Sequence, residues 1–262
     1  MIDVLMRTRG LKQPLLAQID PLNGFVHANG RQLSAAQLSC DVPTTGTVYG
    51  VLFNFPATLA ALGGAVNEAP YLAPPRAPVL YIKPVNTWIG AGMPIPLPPD
   101  VPAVRVGVTL GVVIGRTATR VSAARAFDHV AGYTVVNDIS VPHDNYYRPP
   151  LRDSCRDGFC PIGPWIVPSS AVADPAKLTL RAYVNGELRQ ENTTGRLVRS
   201  IPRLLADITE FMTLDEGDVL MIGVPENPPL ARVGDRVAVA VEGVGRLENP
   251  IVAEAELLGE SR

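Results

Sequence analysis

The sequence predicts a β-rich α/β fold: a twisted or barrel-like mixed sheet with a few short helices. Three observations carry this. The 262 residues are 47% hydrophobic and 18% charged, enough apolar material for one large core. The 26 prolines and 23 glycines gather in clusters such as LAPPRAPV and GMPIPLPPDVP, which punctuate short elements. Between them, most apolar runs are short, alternating and rich in β-branched residues, as strands are.

Taken in order, residues 1–45 alternate short apolar runs with turns and predict a small N-terminal β unit; residues 46–262 predict one larger domain. TVYGVLFNF reads as a buried strand. PATLAALGG reads as a helix with Pro56 in its first turn and Gly63-Gly64 ending it. APVLYIKP and VRVGVTLGVVIG are strands. SAARAFDHVAG is a short helix with Ser122 as cap and Gly132 as stop. YTVVNDIS is a strand with a polar end. In LTLRAYVNGELRQE two strands flank Asn185-Gly186, which predicts a type I′ hairpin. SIPRLLADITEFMTL predicts an amphipathic helix that starts near Pro202 and lines up Leu204, Leu205, Ile208 and Phe211. GDVLMIG and DRVAVAVEGVGRLENPIV close the chain with strands.

Composition excludes some functions. A net charge of −2 leaves no broad basic surface for nucleic acid or an anionic membrane. No run of 18 apolar residues offers a membrane span, and MIDVLMRTRG lacks the long apolar run of a secretory leader. Cys40, Cys155 and Cys160 do not form a zinc pattern. They predict buried thiols in a reducing, cytoplasmic setting.

Several stretches together carry a resemblance. LGVVIGRTATRVSAARAFDHVAGYTVVNDIS, RDGFCPIGPWIVP and GDVLMIGVP with VGDRVAVAVEGVGRLENPI resemble the core of the fumarylacetoacetate hydrolase superfamily, from about Val48 to the C-terminus. Within it, YIKPVNTWIG, NDISVPHDNYYRP and CRDGFCPIG are most similar to the first of the two homologous halves of the decarboxylase/isomerases of homoprotocatechuate (4-hydroxyphenylacetate) breakdown. The resemblance implies a β-roll core and a Mg²⁺ or Mn²⁺ ion held by Glu-x-Glu on one strand and an Asp on the next. It also implies lyase or isomerase chemistry on 2-oxo and hydroxydienoic di- and tricarboxylates, such as 5-oxopent-3-ene-1,2,5-tricarboxylate. The partners it implies are a homodimer or a heteromer with a metal-complete paralogue.

Carried over position by position, the Glu-x-Glu falls on Gly107 and Thr109, and only the third ligand survives, as Asp138. The family's His and Glu dyad falls on Thr58 and Ala61, its Lys on Ser154, and a late Thr on Val224. A hard cation needs several charged or polar oxygens, so metal binding is expected to be weak or absent. Restoring Gly107→Glu and Thr109→Glu together is expected to raise it. Two readings stay open: an enzyme with an eroded metal site, or a catalytically inactive, metal-free partner subunit.

The remaining candidates are groups for a polyanionic substrate. Lys83 either meets a substrate carboxylate or caps the sheet rim. Arg148, Arg152 and Arg156 either grip a polycarboxylate or pair with Asp153 and Asp157. Ser154 and Arg156 complete the substrate-binding set. His143 and Tyr146, on the loop after the NDIS strand, are the candidate catalytic pair for proton transfer. Cys155 and Cys160 are expected to be packing thiols and His129 structural. The apolar VAVAVEGVG strand is taken as a sign of a dimer or larger assembly.

Overall fold

A computed structural model describes residues 1–20, 25–28, 30–34, 40–143, 146 and 150–259. Among these, two sheets dominate. The larger runs through the strands Arg31–Ser34, Phe25–Ala28, Leu15–Asp20, Ile2–Thr8, Cys160–Pro168, Val130–Asn137, Val108–Ile114, Val219–Met221, Val48–Leu52 and Val79–Lys83. The short strands Cys40–Asp41 and Trp88–Ile89 pair onto it. The smaller sheet runs Glu187–Thr193, Thr179–Val184, Arg236–Val241, Gly245–Ala253 and Ile95–Leu97. The predicted N-terminal strands are present, but they extend the large sheet: Leu5 lies opposite Ile166 and Met6 opposite Trp165.

The strand at the centre explains its own composition. Val108–Ile114 is buried along its whole length because both of its faces are covered. Side chains alternate across a strand. Val108, Leu110, Val112 and Ile114 therefore enter the main core, which the second sheet closes. Gly107, Thr109, Gly111 and Val113 face the other way, where Val113 joins Val42, Val48, Val136, Cys160, Ile162, Val219 and Met221. That second face is dense: a Cβ on Gly111 would lie 2.9 to 3.0 Å from side-chain carbons of Thr134, Val136 and Val219. Trp165 ties the two sheets together by donating its indole N–H to the Val244 carbonyl at 2.8 Å.

The hairpin forms as the sequence predicts. Asn185 and Gly186 both have positive φ, 53° and 82°, as a type I′ turn requires. The amphipathic helix spans Ile201–Thr209 and buries Ile201, Leu204, Leu205 and Ile208. Phe211 lies past its end and is 67% exposed, so it does not join that face. Pro56 opens the Pro56–Ala60 helix, but Gly63-Gly64 begin a 3₁₀ turn instead of ending the structure.

A second short helix was expected after Ser122, and the chain forms a 3₁₀ segment, Ala123–His129. Ser122 makes no side-chain cap, and Gly132 lies inside the Val130–Asn137 strand, where it acts as no stop. The physical reason is close approach: a Cβ on Gly132 would sit 2.1 Å from the Val167 carbonyl oxygen of the neighbouring strand. The apolar C-terminal strand has an internal use, since Val237, Val239 and Val241 are buried in the chain's own core.

Leu204 is fully buried on the inner face of the amphipathic helix. Leu204→Ala is expected to cost about 2–5 kcal/mol through lost burial and the cavity it leaves. Urea unfolding followed by circular dichroism checks this, with Phe211→Ala as the near-neutral control on the same segment.

Candidate active site and its neighbours

Asp138 follows the last residue of the Val130–Asn137 strand, and its backbone N–H donates to the Gly107 carbonyl at 2.8 Å. Its side chain falls on the dense second face. Both carboxylate oxygens there are taken by groups from the Val79–Lys83 strand. The Lys83 ammonium lies 2.7 Å from Oδ1, and the Tyr81 hydroxyl donates a short hydrogen bond to Oδ2. Lys83 is fully buried. Its ammonium also donates to the carbonyls of Ile139 at 2.8 Å, Ser154 at 2.7 Å and Phe159 at 3.1 Å.

Tyr81 and Lys83 are two apart on one strand and so point the same way. Tyr81 fits because residue 50, on the adjacent strand and directly opposite it, is glycine. A Cβ there would lie 2.1 Å from the Tyr81 ring. Burial, then the Asp138 charge and the hydrogen bond to it, raise the phenol well above its ordinary value. Nearby, burial pushes the Cys160 thiol up to about 12, and burial likewise takes Cys40 to about 11. Both are packing thiols with little thiolate at neutral pH.

The positions that the resemblance assigns to metal ligands and the dyad carry other groups here. A Cβ on Gly107 would lie 2.5 Å from the Asp138 carbonyl oxygen and 3.0 Å from Val224. The expectation that Gly107→Glu and Thr109→Glu together raise metal affinity meets a steric cost here, since a Cβ at 107 requires the Asp138 backbone to shift. The Thr109 hydroxyl is buried with no hydrogen-bond partner. Thr58 turns its hydroxyl back onto the Phe55 carbonyl at 2.6 Å, and Ala61 offers no polar group. Among the described residues no group of three or more His, Cys, Asp or Glu side chains is placed to hold a metal ion.

The other sequence candidates fall in two places. Lys83, Asp138 and Ser154 come together, Ser154 through its carbonyl; its hydroxyl donates to the Pro150 carbonyl at 2.8 Å. His143 and Tyr146 are edge-to-face neighbours with ring centroids 5.1 Å apart, and Tyr146 also meets Phe53. The His143 Nδ1 lies 2.8 Å from the Val141 carbonyl, which can only accept a hydrogen bond from it. Arg105 anchors this loop by donating to the His143 carbonyl at 2.9 Å.

Arg152 and Arg156 pair with Asp100, at 3.0 and 3.9 Å, and not with Asp153 or Asp157. Asp157 instead accepts from Asn86 at 2.7 Å. Arg148 lies outside the described residues. His129 sits against the Arg116 and Thr117 carbonyls, in a structural position.

Tyr81 and Gly50 escaped the sequence reading. The signal was the YIK triplet, whose outer residues share a face, facing a glycine in an otherwise bulky strand.

The fumarylacetoacetate (FAA) hydrolase C-terminal family model matches residues 47–252. The chain belongs to the fumarylacetoacetate hydrolase family. It is 48% identical over 202 residues to the 4-hydroxyphenylacetate degradation bifunctional isomerase/decarboxylase of Salmonella dublin, a match covering 75% of this chain and 47% of that protein. The chain spans about half the length of the curated bifunctional relatives it matches. Among solved structures, 5-carboxymethyl-2-hydroxymuconate delta-isomerase from Mycobacterium smegmatis aligns over 97% of this chain and 99% of its own, at 32% identity and a TM-score of 0.73. Maleylpyruvate hydrolase from Sphingobium sp. SYK-6, whose structure is in complex with manganese(II) ion and pyruvate, shares the fold. It matches at a TM-score of 0.75 and 24% identity, covering 95% of this chain and 99% of its own. The curated bifunctional relatives are thus named as isomerase/decarboxylases.

Tyr81→Phe removes one donor from a largely buried carboxylate, 12% exposed, and is expected to cost about 1–3 kcal/mol. The phenol's folded value lies above its unfolded value of about 10. Its contribution is therefore complete below pH about 10 and is lost as pH rises beyond it. Unfolding free energies measured from pH 8 upward should fall less steeply in Tyr81→Phe than in the wild type. Equal slopes would mean that Tyr81 ionises freely in the folded state.

Proposed function

We propose that this chain is the metal-free half of an isomerase/decarboxylase of 4-hydroxyphenylacetate catabolism. It works beside a metal-complete half that supplies the divalent ion and carries out the chemistry on an oxo-dienoic tricarboxylate. One observation carries the reading: Asp138, the surviving ligand position, is bonded at both oxygens by the chain's own Lys83 and Tyr81. The residues present do not fit Mg²⁺ or Mn²⁺. Mg²⁺ demands near-octahedral oxygen ligation at about 2.0–2.1 Å, and this face offers one carboxylate and one hydroxyl on Thr109. Recruiting Asp138 would also strip a buried ammonium of its counter-charge, a loss of about 3–5 kcal/mol.

The half-length match to bifunctional relatives supports the same division of labour. In this reading the chain contributes assembly and shape, and Asp100 holds Arg152 and Arg156 at its surface. The free thiols Cys40, Cys155 and Cys160 suit a reducing cytoplasm.

Titration calorimetry of the isolated chain is expected to give Mg²⁺ and Mn²⁺ affinities in the millimolar range or weaker. Micromolar, saturable binding abolished by Asp138→Ala would overturn the reading. The matched half of the Salmonella dublin relative can also be replaced by this chain. The chimera is expected to keep decarboxylase activity, while the isolated chain turns over the tricarboxylate slowly at best. Ordinary turnover by the isolated, metal-stripped chain would overturn the division of labour and direct attention to His143 and Tyr146.

A further inference from the structure

The surroundings of the Lys83 nitrogen are those of a cation site. Four oxygens converge on it: Oδ1 of Asp138 at 2.7 Å and the carbonyls of Ile139, Ser154 and Phe159 at 2.8, 2.7 and 3.1 Å. An ammonium has only three protons, so the four oxygens share them, as oxygens around a spherical ion do. The distances are too long for Ca²⁺, which takes oxygens at about 2.3–2.6 Å, and longer still than those of Mg²⁺. The charge count agrees. One carboxylate and three neutral carbonyls hold a single negative charge, which a monovalent cation balances.

These oxygens come from three places along the chain: Asp138 and Ile139 at the end of a strand, Ser154 in the Leu151–Ser154 turn of helix, and Phe159 before the Cys160–Pro168 strand. The nitrogen that joins them arrives from a fourth, the Val79–Lys83 strand. Ile139 and Phe159 are also bonded to each other, N–H to carbonyl, at 3.1 Å. The Phe159 carbonyl thus keeps a backbone donor of its own, whereas the Ile139 and Ser154 carbonyls take theirs from the ammonium, and an unfilled cage would leave those two to be satisfied some other way.

We propose that Lys83 is a tethered monovalent cation in a preformed oxygen cage, and that the cage binds free ammonium or potassium when the side chain is removed. Lys83 is then a positioning residue. It fixes Asp138 and brings the Ser154 and Phe159 segments against the large sheet, with no metal. This inference stands apart from the proposed division of labour, which concerns divalent ions and turnover.

The test is rescue of Lys83→Ala by cations. Melting temperatures are read at constant ionic strength in the chlorides of ammonium, potassium, sodium and tetramethylammonium. Lys83→Ala is expected to melt well below the wild type and to regain part of the loss, saturably, in ammonium and potassium, as a ligand of the folded state does. Tetramethylammonium, too large for the cage, should give nothing, and the wild type should ignore the choice of cation. Equal melting of Lys83→Ala in all four salts would overturn the proposal.

Should Lys83→Ala not fold, the wild type itself decides. The chain has three lysines, Lys12, Lys83 and Lys177, and of these Lys83 is the buried one. Nitrogen-15 spectra are expected to show one ammonium signal protected from water exchange, displaced in Asp138→Asn. No protected signal, or one that Asp138→Asn leaves in place, would overturn the proposal.

Discussion

The buried pairing of Asp138 with Lys83 and Tyr81 is the interaction on which the rest of this site depends. A carboxylate facing a dense apolar surface must be matched by charge or hydrogen bonds. Here the match comes from one strand, Val79–Lys83, separated from the Val130–Asn137 strand by three others in the sheet order. The match has consequences in both directions along the chain. Toward the sheet, it requires glycine at position 50, because the Tyr81 ring occupies the space a side chain would take. Toward the Ile139–Phe159 segment, it sets an ammonium where three carbonyls can close around it.

The same economy of space governs the central strand. Gly107 and Gly111 are small because neighbouring backbone and β-branched side chains come within 3 Å of where a Cβ would stand. A face lined with Val113, Val136, Val219 and Met221 is a packed interior, and interiors of this kind yield little to added volume. The small residues at 107 and 111 and the packing of this face are thus one fact seen from two sides. A glutamate at 107 would need the Asp138 backbone to move, and Asp138 is held at both oxygens.

Much of the fold was legible in the sequence because its signals are local. Asn185-Gly186 could serve a type I′ turn on its own chemistry, and the spacing of Leu204, Leu205 and Ile208 marks a buried helix face. What the sequence hid depends on contacts between distant strands. Gly132 looked like a helix stop and is a close approach to Val167. Phe211 kept the helical period but the helix ended before it. Asp100 lies far along the chain from Arg152 and Arg156 and emerged as their partner only in three dimensions. The use of Lys83 followed the same pattern, since its four oxygens come from three separate stretches.

The central claim is that the chain's own Lys83 and Tyr81 occupy Asp138 and leave no place for a divalent ion. Crystals grown in excess Mn²⁺ and measured at a wavelength where manganese scatters anomalously test this directly. The account predicts no anomalous peak within bonding distance of Asp138, with the Lys83 nitrogen and the Tyr81 hydroxyl resolved on its two oxygens. A manganese peak ligated by Asp138, with Tyr81 or Lys83 turned away, would contradict it.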